Sequence, residues 1–245
     1  HALTLWQKAH IRAPYGEKEH RLTLQRQYIL RTLVIALGYF LTGYAGLQLP
    51  FFGSSVTLVW PPSGIALAAL IVWGWRYAPA VFIGALLVNL ATSPSVTVSI
   101  LIAAGNTLAA LGPALIIRQI CGNYPLDQFR KMVVFLVLGG LCSPALSALL
   151  GTTSLSLVVI GDFNKFTDIW QGWFLGDLVG AIVVGPLVMR LMQWRTSPRS
   201  MSQYGELALI CIASIVIASA VQTTPLISKP EFLFIFVSLP FVIWG

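Results

Sequence analysis

Charged residues are scarce in this chain: they make up 9% of its 245 residues, whereas 57% are hydrophobic. The mean hydropathy is +0.82. A soluble domain carries about 25% charged residues, and so few charges cannot cover a water-facing surface. The composition therefore excludes a soluble globular protein and indicates an integral membrane protein. At about 20 residues per membrane-crossing helix, the length predicts a bundle of about eight helices and leaves little room for a soluble catalytic domain.

Cysteine and histidine are also scarce, and their positions exclude several kinds of site. The three cysteines are scattered along the chain, and the three histidines all precede the first apolar segment, at His1, His10 and His20. This distribution argues against a disulfide framework and against a metal site or imidazole catalyst within the membrane. The sequence also has no phosphate-binding glycine loop, no metalloprotease motif and no serine nucleophile motif. We therefore predict no catalytic residue, no metal and no cofactor.

Eight apolar segments are predicted to cross the membrane: residues 28–49, 56–74, 78–92, 96–117, 131–150, 169–189, 204–221 and 232–245. The fifth continues in apolar sequence to Ile160, and we expect it to be broken or tilted around Pro144. Basic residues concentrate in cytoplasmic loops. Placing the N-terminus inside leaves only Lys165 and Lys229, of the 15 basic residues, on the outer side. The sequence thus predicts an all-α membrane bundle with both termini in the cytoplasm.

Two further predictions concern the two ends of the chain. Residues 1–27 form a basic cytoplasmic arm, a candidate for contact with anionic lipid headgroups. The net charge of +7 is explained by this topology rather than by binding of nucleic acid. The last apolar segment, 232–245, would make only about 21 Å of helix against a hydrocarbon core of about 30 Å. We therefore expect residues 28–245 to be a membrane module that continues into the cytoplasm.

Asp177 is the main polar anomaly within an apolar segment. Counted from Ile169 it lies about 12 Å into its helix, near the middle of a bilayer, so it must face protein or water. Trp170 and Trp173 share its helical stripe. A second stripe of small residues, which would let a neighbouring helix pack closely, consists of Gly172, Gly176 and Gly180. Asp177 is either a ligand-binding or proton-sensing carboxylate beneath a tryptophan-lined opening, or a structural hydrogen-bond acceptor. The tryptophans alone are typical of membrane-interface anchors.

The second anomaly is the run Trp60-Pro61-Pro62, whose prolines remove two backbone donors. Either this is a discontinuous helix that lines a cavity, or a helix begins at Pro61 with proline in its first turn. Asn89 and Asn106 lie within the third and fourth segments, where each alone is typical of interhelical hydrogen bonding. Their depths place these polar groups in the outer half of the bundle. We predict a ligand-binding site made of Trp60, Pro61, Asn89, Asn106, Trp170, Trp173 and Asp177.

Four sequence elements, in this order, resemble the membrane-associated sensor domain of the first MASE type. They are Trp60-Pro-Pro-Ser-Gly, the run from Trp75 to Asn89, Gly105-Asn-Thr-Leu, and Trp173-Phe-Leu-Gly-Asp-Leu-Val-Gly. The resemblance implies an eight-helix input domain of the bacterial inner membrane that detects a small ligand or a membrane signal. It also implies a cytoplasmic output domain fused to the same chain, either a histidine kinase or a GGDEF or EAL enzyme of cyclic-di-GMP signalling. Since kinases and diguanylate cyclases work in pairs, a homodimer is expected.

Two other functions remain open from the sequence. A small-molecule transporter would have inverted repeats with matched broken helices. The proline pair after Trp60 and the Gly185-Pro186 pair lie in different halves, but the sequences around them do not match. A module that only anchors and localises its output domain is the other alternative. A membrane enzyme would need a nucleophile or paired acids, so the segment itself is not expected to be an enzyme.

Overall fold

The computed structural model describes residues 2–48, 59–93 and 95–193, which are helical and contain no strand. The predicted seventh and eighth segments, 204–221 and 232–245, lie outside the described residues. Six helices cover the first six predicted segments: α1 (Ala2–Gln48), α2 (Pro61–Val72), α3 (Ala78–Thr92), α4 (Val96–Cys121), α5 (Phe129–Ile160) and α6 (Phe166–Met192). The fold class is thus confirmed as all-helical, and the total of eight helices stays a prediction.

Four of the described helices are long and apolar enough to cross a membrane: Glu19–Leu47 within α1, and α4, α5 and α6. The helices α2 and α3, with 12 and 15 residues, are shorter. The N-terminal arm is not separate from the first segment, because α1 is one continuous helix of 47 residues. Large apolar side chains on its outer face are exposed, among them Leu30 at 63% and Leu41 at 60%. Such a face fits a lipid environment better than water.

The short helix α2 occupies the centre of the bundle. It begins at Pro61, which confirms the interpretation of the proline pair as the first turn of a helix, where a missing N–H leaves no hydrogen bond unmade. Nine of its 12 residues are buried. A helix that is apolar all round is stable only when other helices enclose it. Here α1, α4 and α6 pack directly against α2.

The other helices pack in sequence around this centre, with α1 against α3, α3 against α4, α4 against α5 and α5 against α6. Glycines bring these neighbours close together. An added Cβ at Gly84 of α3 would lie 2.7 Å from the Cβ of Tyr39 in α1, and one at Gly105 of α4 would lie 2.9 Å from the Cβ of Leu150 in α5. Ordinary carbon contacts are about 3.5–4.0 Å, so any side chain at either position would force the helices apart.

The helix α5 was expected to be broken or tilted around Pro144, and it is not broken there. It passes through Pro144 without interruption, and its irregular parts are two π-helical segments, Leu136–Cys142 directly before Ser143 and Ser156–Ile160 at the end of the helix. Proline has no N–H to offer the carbonyl one turn earlier, and the wider π turn accommodates this loss without ending the helix. At 1.5 Å per residue the 32 residues of α5 span about 48 Å, more than a bilayer core, so tilting rather than breaking is the expected adjustment.

The bundle has two chemically different ends. At one, called the basic end, the guanidinium of Arg31 lies 4.9 Å from the centre of the Trp73 ring. There too, Nη1 of Arg118 donates to the carbonyls of Ile71 and Val72 at the C-terminus of α2. At the opposite end, called the cavity end, the last turns of α1, α3 and α5 meet the first turns of α2, α4 and α6. This antiparallel arrangement places the cavity far from the arginines.

Candidate ligand-binding site

A cavity of about 400 Å³, called the main cavity, lies at the cavity end and is lined by residues of α1, α3, α4, α5 and α6 and by Trp60, directly before α2. Small-molecule sites are typically about 300–1,000 Å³. Five of the seven residues predicted for the ligand site line it: Trp60, Asn89, Asn106, Trp173 and Asp177. The polar groups that the sequence placed in the outer half of the bundle therefore lie around one cavity.

The position of Trp60 is fixed by its backbone. Its N–H donates to the carbonyl of Gly176 in α6 across 2.9 Å. Its own carbonyl lies so close to Gly180 that a Cβ there would overlap it, and a Cβ at Gly64 would overlap the backbone of the same part of α6. The predicted close approach along the glycine stripe of α6 is thus present, and its partner is the first turn of α2. Gly172, the outermost member of the stripe, lines the cavity instead.

Trp173 reaches the cavity wall because Gly151 of α5 leaves room for its indole. A Cβ at Gly151 would overlap the six-membered ring of Trp173. The six-membered ring of Trp173 therefore lies close to the backbone of α5 and forms part of the cavity wall. A large aromatic side chain offers an extensive apolar surface to a ligand.

Asp177 is 1% exposed, and its two carboxylate oxygens have different surroundings. Oδ1 accepts a hydrogen bond of 2.6 Å from Oγ of Ser63 in α2. Oδ2 is buried and has no hydrogen-bond partner among the described residues. Most buried polar atoms in proteins have a partner, and an acid at membrane depth is costly unless something offsets its charge. Oδ2 is therefore the atom of Asp177 that is left for contact with an ordered water molecule or a ligand.

The two asparagines of the cavity differ in their hydrogen-bond partners. Nδ2 of Asn106 donates to Oη of Tyr39 across 3.2 Å, and Oδ1 accepts from Oγ of Ser147 across 3.1 Å, so this side chain joins α4 to α1 and α5. Nδ2 of Asn89 donates to the carbonyl of Ala85 in its own helix. Asn106 is thus an interhelical link at the base of the cavity, whereas Asn89 joins no other helix and lies in the wall.

Two predicted site residues do not line the main cavity. Trp170 stacks on Phe174 with the ring centres 5.1 Å apart and an angle of 4° between the planes, and its indole lies in a shallow depression beside Leu149 of α5. A helical stripe fixes the direction of Cβ only, and the stack with Phe174 turns the indole away. Pro61 begins α2, and its contribution is to the course of the backbone rather than to the cavity wall.

The sequence reasoning missed three side chains that contact the predicted ones: Tyr39, Ser63 and Ser147. The sequence contains a feature that could have identified each of them. Ser63 lies in the Pro-Pro-Ser-Gly motif itself, and Ser147 follows Ser143 by four residues in an apolar helix, which puts both hydroxyls on one face. Tyr39 is a buried aromatic with a polar end, and such a group needs a partner.

The profile of the MASE1 family matches residues 30–245, which is most of the chain. The chain belongs to the MASE1 family. MASE1 domains are membrane-associated sensor domains that serve as inputs rather than catalysts, which confirms the resemblance found in the sequence motifs. Comparisons with curated proteins and with solved structures gave no significant match.

Proposed function

We propose that this MASE1 chain is the sensory input module of a signalling protein, and that a small ligand bound in the main cavity regulates a cytoplasmic output domain. One observation carries the proposal: a buried carboxylate with an unpartnered oxygen lies in the wall of a cavity large enough for a small molecule. The output domain, either a histidine kinase or a cyclic-di-GMP enzyme, is an inference from the kind of protein in which such sensors occur.

The cavity lining indicates the chemistry of the ligand. Most of the wall is apolar, with two indoles, whereas the polar groups are the amides of Asn89 and Asn106, the hydroxyls of Thr92 and Ser93, and the carboxylate of Asp177. Sites of this kind bind a largely apolar molecule and orient it through a few polar contacts. We infer a ligand with an apolar body and at least one hydrogen-bond donor directed toward the carboxylate.

The distribution of basic residues supports an orientation. Arg31, Arg76, Arg118 and Arg130 lie at or near the basic end, and Lys165 lies in the connection between α5 and α6 at the other end. Positive charge is retained on the cytoplasmic side of a membrane. In our proposal the basic end is therefore cytoplasmic, the module spans the bacterial inner membrane several times, and the main cavity is reached from the outer side.

A ligand can alter output only by binding one helix arrangement more tightly than another. The backbone of Trp60 offers such a coupling, because its indole side lines the cavity while its N–H is bonded to Gly176 of α6. A ligand that displaces Trp60 would shift α6 relative to α2. We propose that this shift reaches the output domain, which works as a homodimer.

Thr92 provides a test, because it lines the cavity and its hydroxyl bonds only to its own helix, at the carbonyl of Val88. Thr92→Trp should fill the cavity and abolish the response of the full-length protein to its stimulus while membrane insertion is retained. Thr153→Trp is the matched control, since the Thr153 hydroxyl makes the same kind of bond, to Leu149, away from the cavity. A full response in the Thr92→Trp protein would contradict ligand sensing and favour a module that only anchors its output domain.

A further inference from the structure

The connection between α2 and α3, residues 73–77, lies at the basic end and is called the aromatic turn. Two neighbouring helices hold it in place. Oη of Tyr28 in α1 donates to the carbonyl of Arg76 across 3.1 Å, and the guanidinium of Arg118 in α4 donates to the last carbonyls of α2. Gly74 lies beside that guanidinium with a φ of 101°, a conformation that glycine adopts without strain. The aromatic turn is therefore a preformed surface between helices.

Three arginines from three parts of the chain meet at the aromatic turn. Arg76 belongs to the turn and is exposed. The guanidinium of Arg31 in α1 lies 4.9 Å from the centre of the Trp73 ring. The guanidinium of Arg118 would lie within 3.8 Å of a Cβ at Gly74, the next residue along the turn. Its hydrogen bonds to α2 use only Nη1, whereas a guanidinium has five N–H donors, so Arg118 has donors left for a further acceptor.

The positive charge of these arginines is not balanced by a carboxylate within the described part of the chain. The only ion pair there joins Lys131 to Asp127, across 3.0 Å, and involves none of the three. A guanidinium presents its N–H groups in a planar fork that matches the oxygens of a phosphate. Unbalanced guanidinium groups with remaining donors, gathered at one turn, therefore indicate a site for a phosphate group.

The aromatic side chains around the turn place it at the level of lipid headgroups. Trp75 is 62% exposed, and the rings of Tyr28 and Tyr77 lie with their centres 5.2 Å apart. Tryptophan and tyrosine concentrate where the hydrocarbon core of a membrane meets water. Next to Tyr28 in α1, the apolar side chains of Ile29 and Leu33 are exposed, in the part of the helix that is apolar enough to cross a membrane. A molecule bound at the turn would thus have its phosphate at the arginines and an apolar surface beside it, which favours a phospholipid over phosphate in solution.

We propose that the aromatic turn, with Arg31, Arg76 and Arg118, binds the phosphate of an anionic glycerophospholipid whose acyl chains lie along α1. Basic pockets between membrane-spanning helices bind lipid headgroups in this way. The site differs from a general attraction of basic residues to a charged membrane, because it requires particular guanidinium groups at one turn. A lipid bound there would join α1 to α4 at the C-terminus of α2. The site lies at the opposite end of the bundle from the main cavity and does not depend on a signalling role.

The test is thermal unfolding of the purified chain in dodecyl maltoside micelles, followed by tryptophan fluorescence. Phosphatidylglycerol replaces phosphatidylcholine with the same acyl chains, at constant total lipid, pH and ionic strength. A ligand that binds only the folded state raises its unfolding temperature, and we expect a saturable rise of about 3 °C or more. Inorganic phosphate at the same concentration as the lipid should give no rise, because it has no acyl chains. An equal rise with inorganic phosphate would assign the site to a soluble anion and overturn the proposal.

Variants locate the effect. Arg31→Gln and Arg76→Gln should each raise the amount of phosphatidylglycerol needed for half of the full rise, by about threefold or more. Should Arg31→Gln not fold, Arg76→Gln decides, because Arg76 is exposed and its described hydrogen bond uses only its backbone carbonyl. Arg130→Gln is the matched control, since it removes the same charge from an exposed position at the same end, in the first turn of α5, and should respond like the unmodified chain. No difference between the two lipids, or equal weakening by all three substitutions, would overturn the proposal. The measurement does not use signalling output, so the sensory proposal is tested separately.

Discussion

The N–H of Trp60 donates to the carbonyl of Gly176 across 2.9 Å, and the carbonyl of Trp60 lies against Gly180 one turn further along α6. The first turn of α2 and the middle of α6 are therefore joined through their backbones. Because the side chain of Trp60 lines the main cavity, this joint connects the cavity wall to a long helix that ends near the opposite side of the bundle. In the proposed sensing mechanism, this contact transmits a change at the cavity wall to α6.

The contact predicts a large cost for any side chain at Gly180. Gly180→Ala would place a methyl group on the carbonyl of Trp60, and we expect the free energy of unfolding in detergent to fall by about 2–3 kcal/mol. Gly112→Ala is the control, because no atom of the described residues lies within 4 Å of a Cβ at that position in α4. Its effect should stay within about 0.5 kcal/mol. Equal stability of the two variants would show that α2 and α6 are not in close contact.

Arg118 is predicted to hold the C-terminus of α2. Its Nη1 donates to the carbonyls of Ile71 and Val72, which have no partner within the helix. Hydrogen bonds to charged groups contribute about 1.5–3 kcal/mol each. Arg118→Ala should lower the free energy of unfolding by about 2 kcal/mol or more, whereas Arg130→Ala, an exposed position in the first turn of α5, should change it little. Similar losses in both variants would contradict the capping role.

The proposed orientation can be tested with two asparagines that lie in connections at opposite ends. Asn123 follows α4 and Asn164 precedes α6, and both are exposed. In a chain whose native cysteines are replaced by serine, Asn164→Cys should react with a membrane-impermeant maleimide on intact cells. Asn123→Cys should react only after the membrane is permeabilised. Labelling of both on intact cells, or of Asn123→Cys alone, would refute the orientation.

Much of the helical order follows from sequence because the signals are local. The proline pair marked where α2 begins, and runs of apolar residues located α3, α4 and α6 to within a few residues. They did not show where α1 begins, because that helix continues through the polar arm to Ala2. Pro144 marked a real irregularity in α5, although its form was a π turn before the proline rather than a break. Sequence alone could not distinguish these two, because the choice depends on whether neighbouring helices hold α5 together on both sides of the proline.

The site was predictable in depth but not in its contacts. Counting residues along each helix placed Trp60, Asn106 and Asp177 in the outer half of the bundle, and the structure brings them to one cavity. The partnership of Asp177 with Ser63 depends on α2 lying beside α6, which no local pattern encodes. For Trp170, residue spacing gave the correct face of the helix but not the direction of the indole. That direction depends on the side-chain torsions, which stacking on Phe174 sets.

The central claim is that occupancy of the main cavity reaches the output through the contact between Trp60 and Gly176. The most direct test is the stimulus response of the full-length protein carrying Gly176→Leu, with Gly112→Leu as the matched control on an open face of α4. Membrane content and unfolding temperature are measured on the same samples, so that loss of folding is recognised. We expect the Gly176 variant to insert in the membrane but to lose its response, while the Gly112 variant responds normally. A normal response of a folded Gly176→Leu protein to every stimulus that acts on the unmodified protein would contradict the claim.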